Sequence, residues 1–423
     1  MPVLNKTEIQ LPTGTLELTT EDSVDLDAFC DFAARANPKR GFLIVSKVLG
    51  RHLPASPSSM RETMDRLGQK IPADLAGPVV FLGMAETATA LGQGVFAAYR
   101  KANPEQVVVY LQSSRQIVDG STLIASFEEG HSHATTHLIQ VKDLALEDTV
   151  RAARSLVIVD DECSTGNTYV AVANAMRETM PNLELIATCC ITDWSGGQYI
   201  RHMPRPTLPV SLIAGSMTWT PGATPSSEVL ASGSNVPGRA PKNGMKSRSG
   251  LSEPEQAIRP EVDVATLSLK TFSEKLVQQH AETHGIGDPS EFIEIKVGYV
   301  DAVAAGVGKP NERILVLGEG EHSYEALLVA EEIERKGGVA AVQCITRSPA
   351  LLGFAMETKS TFSDSYGSGA PCFLYNILKH KPDRILIVAE HKATQAEEAQ
   401  AALKQLGSSI PVEVVLCSYA NGE

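Results

Sequence analysis

Aromatic residues are scarce in this chain of 423 residues, at 5%. With so few rings, a base-stacking platform for single-stranded nucleic acid is not expected. Basic residues are outnumbered too: Lys and Arg total 37 against 50 Asp and Glu, a net charge of −13. A chain with no general positive field is a poor binder of nucleic acid backbone. A local basic pocket for a phosphorylated metabolite is compatible with it. No run of about 18 apolar residues occurs, so no membrane span is expected. The amino terminus, MPVLNKTEIQLPTG, is polar and lacks the apolar core of a signal peptide. C-x-x-C pairs are missing as well. The seven cysteines, Cys30, Cys163, Cys189, Cys190, Cys344, Cys372 and Cys417, give neither a disulfide framework nor a structural zinc site. A reduced, cytoplasmic protein is the expectation.

What is present is an ordinary globular composition, 43% hydrophobic and 21% charged. At roughly 150 residues per domain, the length implies about two to three domains. One segment stands apart. From about Gly215 to Pro260 the chain is rich in Gly, Pro and Ser and nearly free of apolar periodicity, which reads as a linker. The expected division is a first domain over 1–215, a linker over 216–260 and a second domain over 261–423. Both halves alternate short apolar runs with helical stretches. Strands are expected at 42–46, 79–83, 107–111, 155–160 and 185–192, then at 313–318, 340–346, 384–390 and 412–419. Helices are expected at 58–69, 86–101, 168–180, 324–337 and 394–407. Continuous apolar strands between helices imply parallel sheets covered on both faces, an α/β fold. Ligands in such folds sit at the carboxyl ends of the strands.

Residues 156–168, LVIVDDECSTGNT, carry the most information. A buried strand ends in Asp160 and Asp161. A loop of small and hydroxyl residues, Ser164-Thr165-Gly166-Asn167-Thr168, then opens a helix. Amides and hydroxyls at a helix amino terminus cradle a phosphate dianion, and Gly166 lets the backbone approach it. The carboxylates suit vicinal ribose hydroxyls or a Mg²⁺ shell. This string resembles the 5-phosphoribosyl-1-pyrophosphate (PRPP) motif of phosphoribosyltransferases: four apolar residues, two acids, then a Thr/Ser-Gly loop. Phosphorelay receiver domains also end a strand in an acid pair, but they need no such phosphate loop and would leave the 150 upstream residues unexplained.

A phosphoribosyltransferase needs a second loop for pyrophosphate. VVFLG running into Met84-Ala85-Glu86-Thr87 has the geometry for it. Arg115 follows the next apolar strand and suits bidentate contact with phosphate oxygens. In the resembled family a mobile loop at this place closes over the reacting centre. Here 116–137 is too irregular for a long element and contains Glu128, Glu129, His131, His133 and His137. Two readings of this cluster stand: a transition-metal site, or general acid–base and phosphate-charge work by Glu128, His131 and His133 beside Arg115. Lys39, Arg40, Lys47, Arg51 and His52 form a basic patch in an acidic chain. They are expected to line a polyanion cleft, with Lys47 in the PRPP site.

Together NPKRGFLIVSKVLGRHLP, FLGMAETATALG, FEEGHSHATTH and LVIVDDECSTGNT resemble one branch of orotate-phosphoribosyltransferase-like proteins, found in bacterial tellurite-resistance and stress gene clusters. That branch carries a C-terminal domain named for Thr-Arg-Ser-Pro, and here Thr346-Arg347-Ser348-Pro349 ends a strand. The closing loop lacks the Lys-rich run of a true orotate enzyme. The resemblance implies a type I phosphoribosyltransferase fold with a second, Rossmann-like domain. It implies transfer of 5-phosphoribosyl from PRPP to a small acceptor, with Mg²⁺ bound by Asp160 and Asp161 and pyrophosphate released. A homodimer is expected, with neither nucleic acid nor membrane as partner. The alternative function is a non-catalytic PRPP- or nucleotide-binding regulator or assembly protein. In the second half, Gly318, Arg347, Ser348, Tyr366 and Gly367 are expected to form an anion site separate from the PRPP site.

Overall fold

The computed structural model describes residues 4–21, 23–35, 37, 40–115, 121–128, 136–141, 144–222, 310–318, 323–363, 371–389 and 410–416. The first half opens with the hairpin β1 (Leu4–Leu11) and β2 (Gly14–Glu21), then α1 (Leu26–Phe29) and the ribbon β3 (Cys30–Ala34) and β4 (Phe42–Ser46). α2 (Pro57–Lys70), β5 (Val79–Gly83), α3 (Thr89–Ala102) and β6 (Val108–Ser114) follow. Then come β7 (Thr122–Glu128), β8 (Thr136–Val141), α4 (Leu144–Ala152), β9 (Ser155–Val159) and β10 (Glu162–Cys163). α5 (Asn167–Thr179), β11 (Leu185–Asp193) and β12 (Thr207–Pro221) complete this half.

One sheet runs β1-β2-β12-β11-β9-β5-β6-β8-β7. From β12 through β11, β9 and β5 to β6 every pairing is parallel. Antiparallel pairs close both edges, β2 on β12 and β8 on β6. The inner strands β5 and β9 are buried at every position, as continuous apolar runs sandwiched between helices must be. α2 begins where Ser56 caps it, its hydroxyl accepting from Ser59 N at 3.2 Å with Pro57 at the first position. It buries Met60, Met64 and Leu67 on one stripe.

Within 116–137, expected to be too irregular for a long element, residues 122–128 form β7, which pairs antiparallel with β8 with a shift between Leu123 and Ala125. β7 is mostly exposed, so no apolar alternation marks it. β12 also runs past the expected boundary at 215. It pairs with β11 through Ala214 and with β2 from Gly215 to Pro221. Its Trp219 ring lies 5.1 Å from that of Phe42.

The second half holds β13 (Arg313–Gly318), α6 (Ser323–Arg335), β14 (Val339–Cys344), β15 (Lys359–Ser363), β16 (Pro371–Tyr375), β17 (Arg384–Ala389) and β18 (Val412–Leu416). β14-β13-β17-β18 form a parallel sheet, so the α/β expectation holds in both halves. The helix expected at 394–407 lies outside the described residues. No described helix is long and apolar enough to cross a membrane. The six cysteines among the described residues are free and buried.

The two halves share a backbone seam. Ala55 and Val342 exchange amide bonds of 2.9 and 2.8 Å, and Cys344 N donates to Gly50 O at 2.7 Å. The loop after β4 thus extends the second sheet along its β14 edge. Gly50 has φ +66°, and a Cβ there would lie 2.9 Å from Val342 O, so only glycine fits. Arg61 on α2 reaches Glu331 on α6 with two bonds of 2.7 and 3.0 Å, and donates to Tyr324 Oη at 3.2 Å. Arg61→Ala is expected to cost about 1–3 kcal/mol by leaving Glu331 half-buried without its partner. Urea denaturation checks this, and an unchanged midpoint would show that the pair contributes nothing to docking.

His52 packs in the same seam, its ring 5.5 Å from Tyr375. Burial, then the charges of Arg51 and Arg35, push its pKa down to about 3. The unfolded chain takes up this proton near pH 6.5, whereas the folded one refuses it. Full stability is therefore present above about pH 6.5 and falls by about 1.4 kcal/mol per pH unit below it. In denaturation between pH 7 and 5, His52→Gln should remove about one proton from that slope. Identical slopes for both proteins would contradict this.

Candidate active site

β9 releases Asp160, Asp161 and Glu162 at the carboxyl edge of the large sheet. Asp160 N donates to Cys189 O at 2.9 Å, and Asp160 Oδ1 accepts from Asp161 N at 2.9 Å. Burial, then the Glu162 charge, push the Asp161 carboxyl up to about 6. The loop 164–168 then turns into α5. Gly166 precedes the helix at φ +77°, and a Cβ there would meet Tyr199 Cγ at 2.2 Å. Glycine is thus demanded by the turn and by the Tyr199 ring, besides any need for phosphate approach. Gly166→Val would consequently disturb local packing as well as binding.

Across the cleft, β5 ends and the loop Met84–Thr87 begins, with a cis peptide between Ala85 and Glu86. Ala85 N donates to Ser113 Oγ at 2.9 Å, and that hydroxyl lies 3.1 Å from His137 Nδ1. The His137 ring is buried and stacked on Phe127 at 4.6 Å. Glu86 is a hub for guanidinium groups. Its Oε2 accepts from Arg51 Nη2 at 3.0 Å. Its Oε1 lies 3.9 Å from Arg115 Nε and 3.5 Å from Arg347 Nε. Arg51 is only 3% exposed, and its Nε and Nη1 have no hydrogen-bond partner among the described residues. On the β3–β4 side, Arg40 Nη2 donates to Glu162 Oε1 at 2.5 Å, and its guanidinium lies 4.9 Å from the Phe42 ring centre. Burial, then the Arg40 charge, hold Arg35 below the usual guanidinium value.

The charged side chains among these groups, together with His137, line one cleft of about 570 Å³. The second half supplies part of the wall: Thr346 to Pro349, Pro371 and Phe373. No group of three or more metal-ligating side chains converges among the described residues. Mg²⁺ is commonly held through one or two carboxylates, with water and substrate phosphates filling the shell. Asp160 and Asp161 suit that donor set.

Residues 29–215 match the family described as phosphoribosyl transferase, and residues 284–406 match the TRSP domain C-terminal to that transferase. The chain belongs to this two-domain phosphoribosyl transferase family. No curated protein matches it. Among solved structures it is similar to adenine phosphoribosyltransferase from Rhodothermus marinus (16% identity, 44% of this chain and 95% of that one, TM-score 0.31). The same enzyme from Trypanosoma brucei, solved with AMP, pyrophosphate and ribose-5-phosphate, matches at 14% identity over 46% and 82% of the two chains, TM-score 0.31. Orotate phosphoribosyltransferase from Aeropyrum pernix matches at 17% identity over 45% and 88%, TM-score 0.26.

Within the transferase domain the cleft gathers Asp160, Asp161, the run Ser164 to Thr168, the run Met84 to Thr87, Arg115 and Glu128. Lys47 is not brought in; its Nζ donates to Asp27 O at 2.7 Å. The neighbouring Ser46, the last residue of β4, lines the cleft instead. His131 and His133 lie outside the described residues, as do Tyr366 and Gly367. In the TRSP domain, Gly318 is buried at the end of β13, its carbonyl accepting from Ile345 N at 3.2 Å, and it does not line the cleft. Arg347 and Ser348 do line it. Arg347, expected in a separate anion site, thus stands on the transferase cleft, because the seam at 50–55 and 342–344 brings the end of β14 against that cleft. Arg35, Glu162 and Phe373 join the cleft without having been expected there. An arginine-rich run beginning at Arg35 in an acidic chain was the available signal for the first.

Proposed function

We propose that the cleft binds PRPP with Mg²⁺ and transfers its 5-phosphoribosyl group to a small nucleophilic acceptor, releasing pyrophosphate. The observation that carries this reading is the convergence, in one cleft, of the acid pair and hydroxyl loop with the guanidinium cluster on Glu86. The hydroxyls and amides of Ser164 to Thr168, at the positive end of α5, suit the 5-phosphate. Asp160 and Asp161 suit the ribose diol and would hold the metal. The metal, when bound, neutralises charge on the leaving pyrophosphate. Arg51 and Arg115 suit the diphosphate oxygens, with Glu86 keeping their guanidinium groups in place before substrate arrives. His137 positions Ser113, which in turn fixes the Ala85 amide.

Breaking the ribosyl–oxygen bond leaves an oxocarbenium-like centre, so the chain's work is positioning, charge stabilisation and exclusion of water. The acceptor side is the wall of Arg35, Arg40, Ile44 and Phe373, where an acceptor meets both guanidinium groups and an apolar face. The test is to incubate the full chain with PRPP, Mg²⁺ and a metabolite extract. Pyrophosphate release with a new phosphoribosyl adduct by mass spectrometry is expected. Tight PRPP binding with no pyrophosphate released from any acceptor pool would instead favour the regulatory alternative.

A further inference from the structure

We infer that the TRSP domain is part of the transferase site, with Arg347 forming the third arm of a guanidinium clamp for the diphosphate of PRPP. This rests on the PRPP reading above and extends it to a residue that the transferase domain does not own.

Charge is the first argument. Arg51, Arg115 and Arg347 surround the single carboxylate of Glu86. Three guanidinium groups, two from the transferase domain and one from the TRSP domain, thus converge on one point of the cleft. Arg51 is 3% exposed and keeps two buried nitrogens without hydrogen-bond partners among the described residues. Buried N–H donors left unmade are costly, so they are best explained by an acceptor that arrives with the substrate. A diphosphate brings both the negative charge and several acceptor oxygens.

Anchoring is the second argument. The Thr-Arg-Ser-Pro segment is tied down on both sides of Arg347. Thr346 exchanges backbone bonds with Phe373 at 3.1 and 2.7 Å. Ser348 N donates to Thr346 Oγ1 at 3.1 Å, Ser348 O accepts from Tyr375 Oη at 3.0 Å, and Ala350 N donates to that same hydroxyl oxygen at 2.7 Å. The preceding strand is bonded to Gly50, one residue before Arg51. Arg51 and Arg347 are therefore held by the same seam, and their spacing is fixed by backbone bonds rather than by a mobile loop. Such a rigid pair is what preorganised charge stabilisation requires.

The rival view is that Arg347 merely braces Glu86. Inorganic pyrophosphate and ribose 5-phosphate separate the two, since only pyrophosphate needs the clamp. With the full chain and Mg²⁺, calorimetry on Arg347→Met and Arg347→Lys is compared with wild type. The expected result for Arg347→Met is a loss of about 10- to 100-fold in pyrophosphate affinity, with ribose 5-phosphate affinity within about twofold. Lysine should restore part of the loss, as a point charge lacking the fork, and the thermal midpoints without ligand should match. Unchanged pyrophosphate affinity in a wild-type-like fold would overturn the inference. Equal weakening of both ligands with a lowered midpoint would also overturn it, in favour of the brace. If the wild type itself bound neither ligand, the PRPP reading would fall first.

Discussion

Replacing Asp160 and Asp161 together by asparagine is expected to weaken PRPP binding by about 100-fold or more while leaving the fold intact. Each hydrogen bond from a ribose hydroxyl to a charged carboxylate is worth about 1.5–3 kcal/mol, or roughly 10- to 150-fold. Asparagine keeps the shape and an acceptor oxygen, so the Asp161 N bond to residue 160 at 2.9 Å survives. Stability should hold or rise, because burial and Glu162 push Asp161 up to about 6. A carboxyl whose folded pKa is raised weakens the fold as pH climbs from about 3.9, its unfolded value, towards that point. Asparagine removes this penalty. The check is calorimetric titration with PRPP and Mg²⁺ beside a thermal melt. A folded double variant that binds as wild type would remove the ribose assignment.

Arg51→Met is expected to separate binding from stability more sharply. In the free protein this guanidinium is buried with two nitrogens unpartnered among the described residues. Methionine of similar length fills the space without the desolvation cost, while Glu86 keeps Arg115 and Arg347 beside it. The apo protein should therefore be as stable as wild type or up to about 1 kcal/mol more so. PRPP and pyrophosphate affinity should fall by about 10- to 100-fold, the cost of one charged, bidentate donor. This is the pattern of a site that holds strain for function. Denaturation and calorimetry on one preparation read both arms. A destabilised variant with unchanged pyrophosphate affinity would mean that Arg51 is a structural brace.

The parallel strands were legible because they are buried on both faces: β5, β9 and β13 carry unbroken apolar runs. Their carboxyl ends then placed Asp160, Asp161 and Met84 to Thr87 without further help. The hairpin β1–β2 went unread although Leu16 and Leu18 alternate with polar neighbours along β2. β7 had no such signal, being exposed over most of its length. The seam between the domains was not legible. Arg61 and Glu331 are 270 residues apart, and no local period encodes such a pairing. For the same reason Arg347 could be placed after a strand, but which cleft it faces depends on Gly50 and Ala55 docking against β14. Lys47 follows β4 and turns to the Asp27 carbonyl, whereas Arg40, Arg51 and His52 of the same basic cluster line the cleft; clustering in sequence does not encode which members turn inward.

The central claim, that this cleft is a PRPP site, is tested most directly by titrating the full wild-type chain with PRPP in the presence of Mg²⁺. Saturable binding of one PRPP per chain is predicted, displaced by pyrophosphate and weakened by about 100-fold or more when Asp160 and Asp161 are replaced by asparagine. A flat titration at millimolar PRPP, or binding that the asparagine variant retains in full, would contradict it.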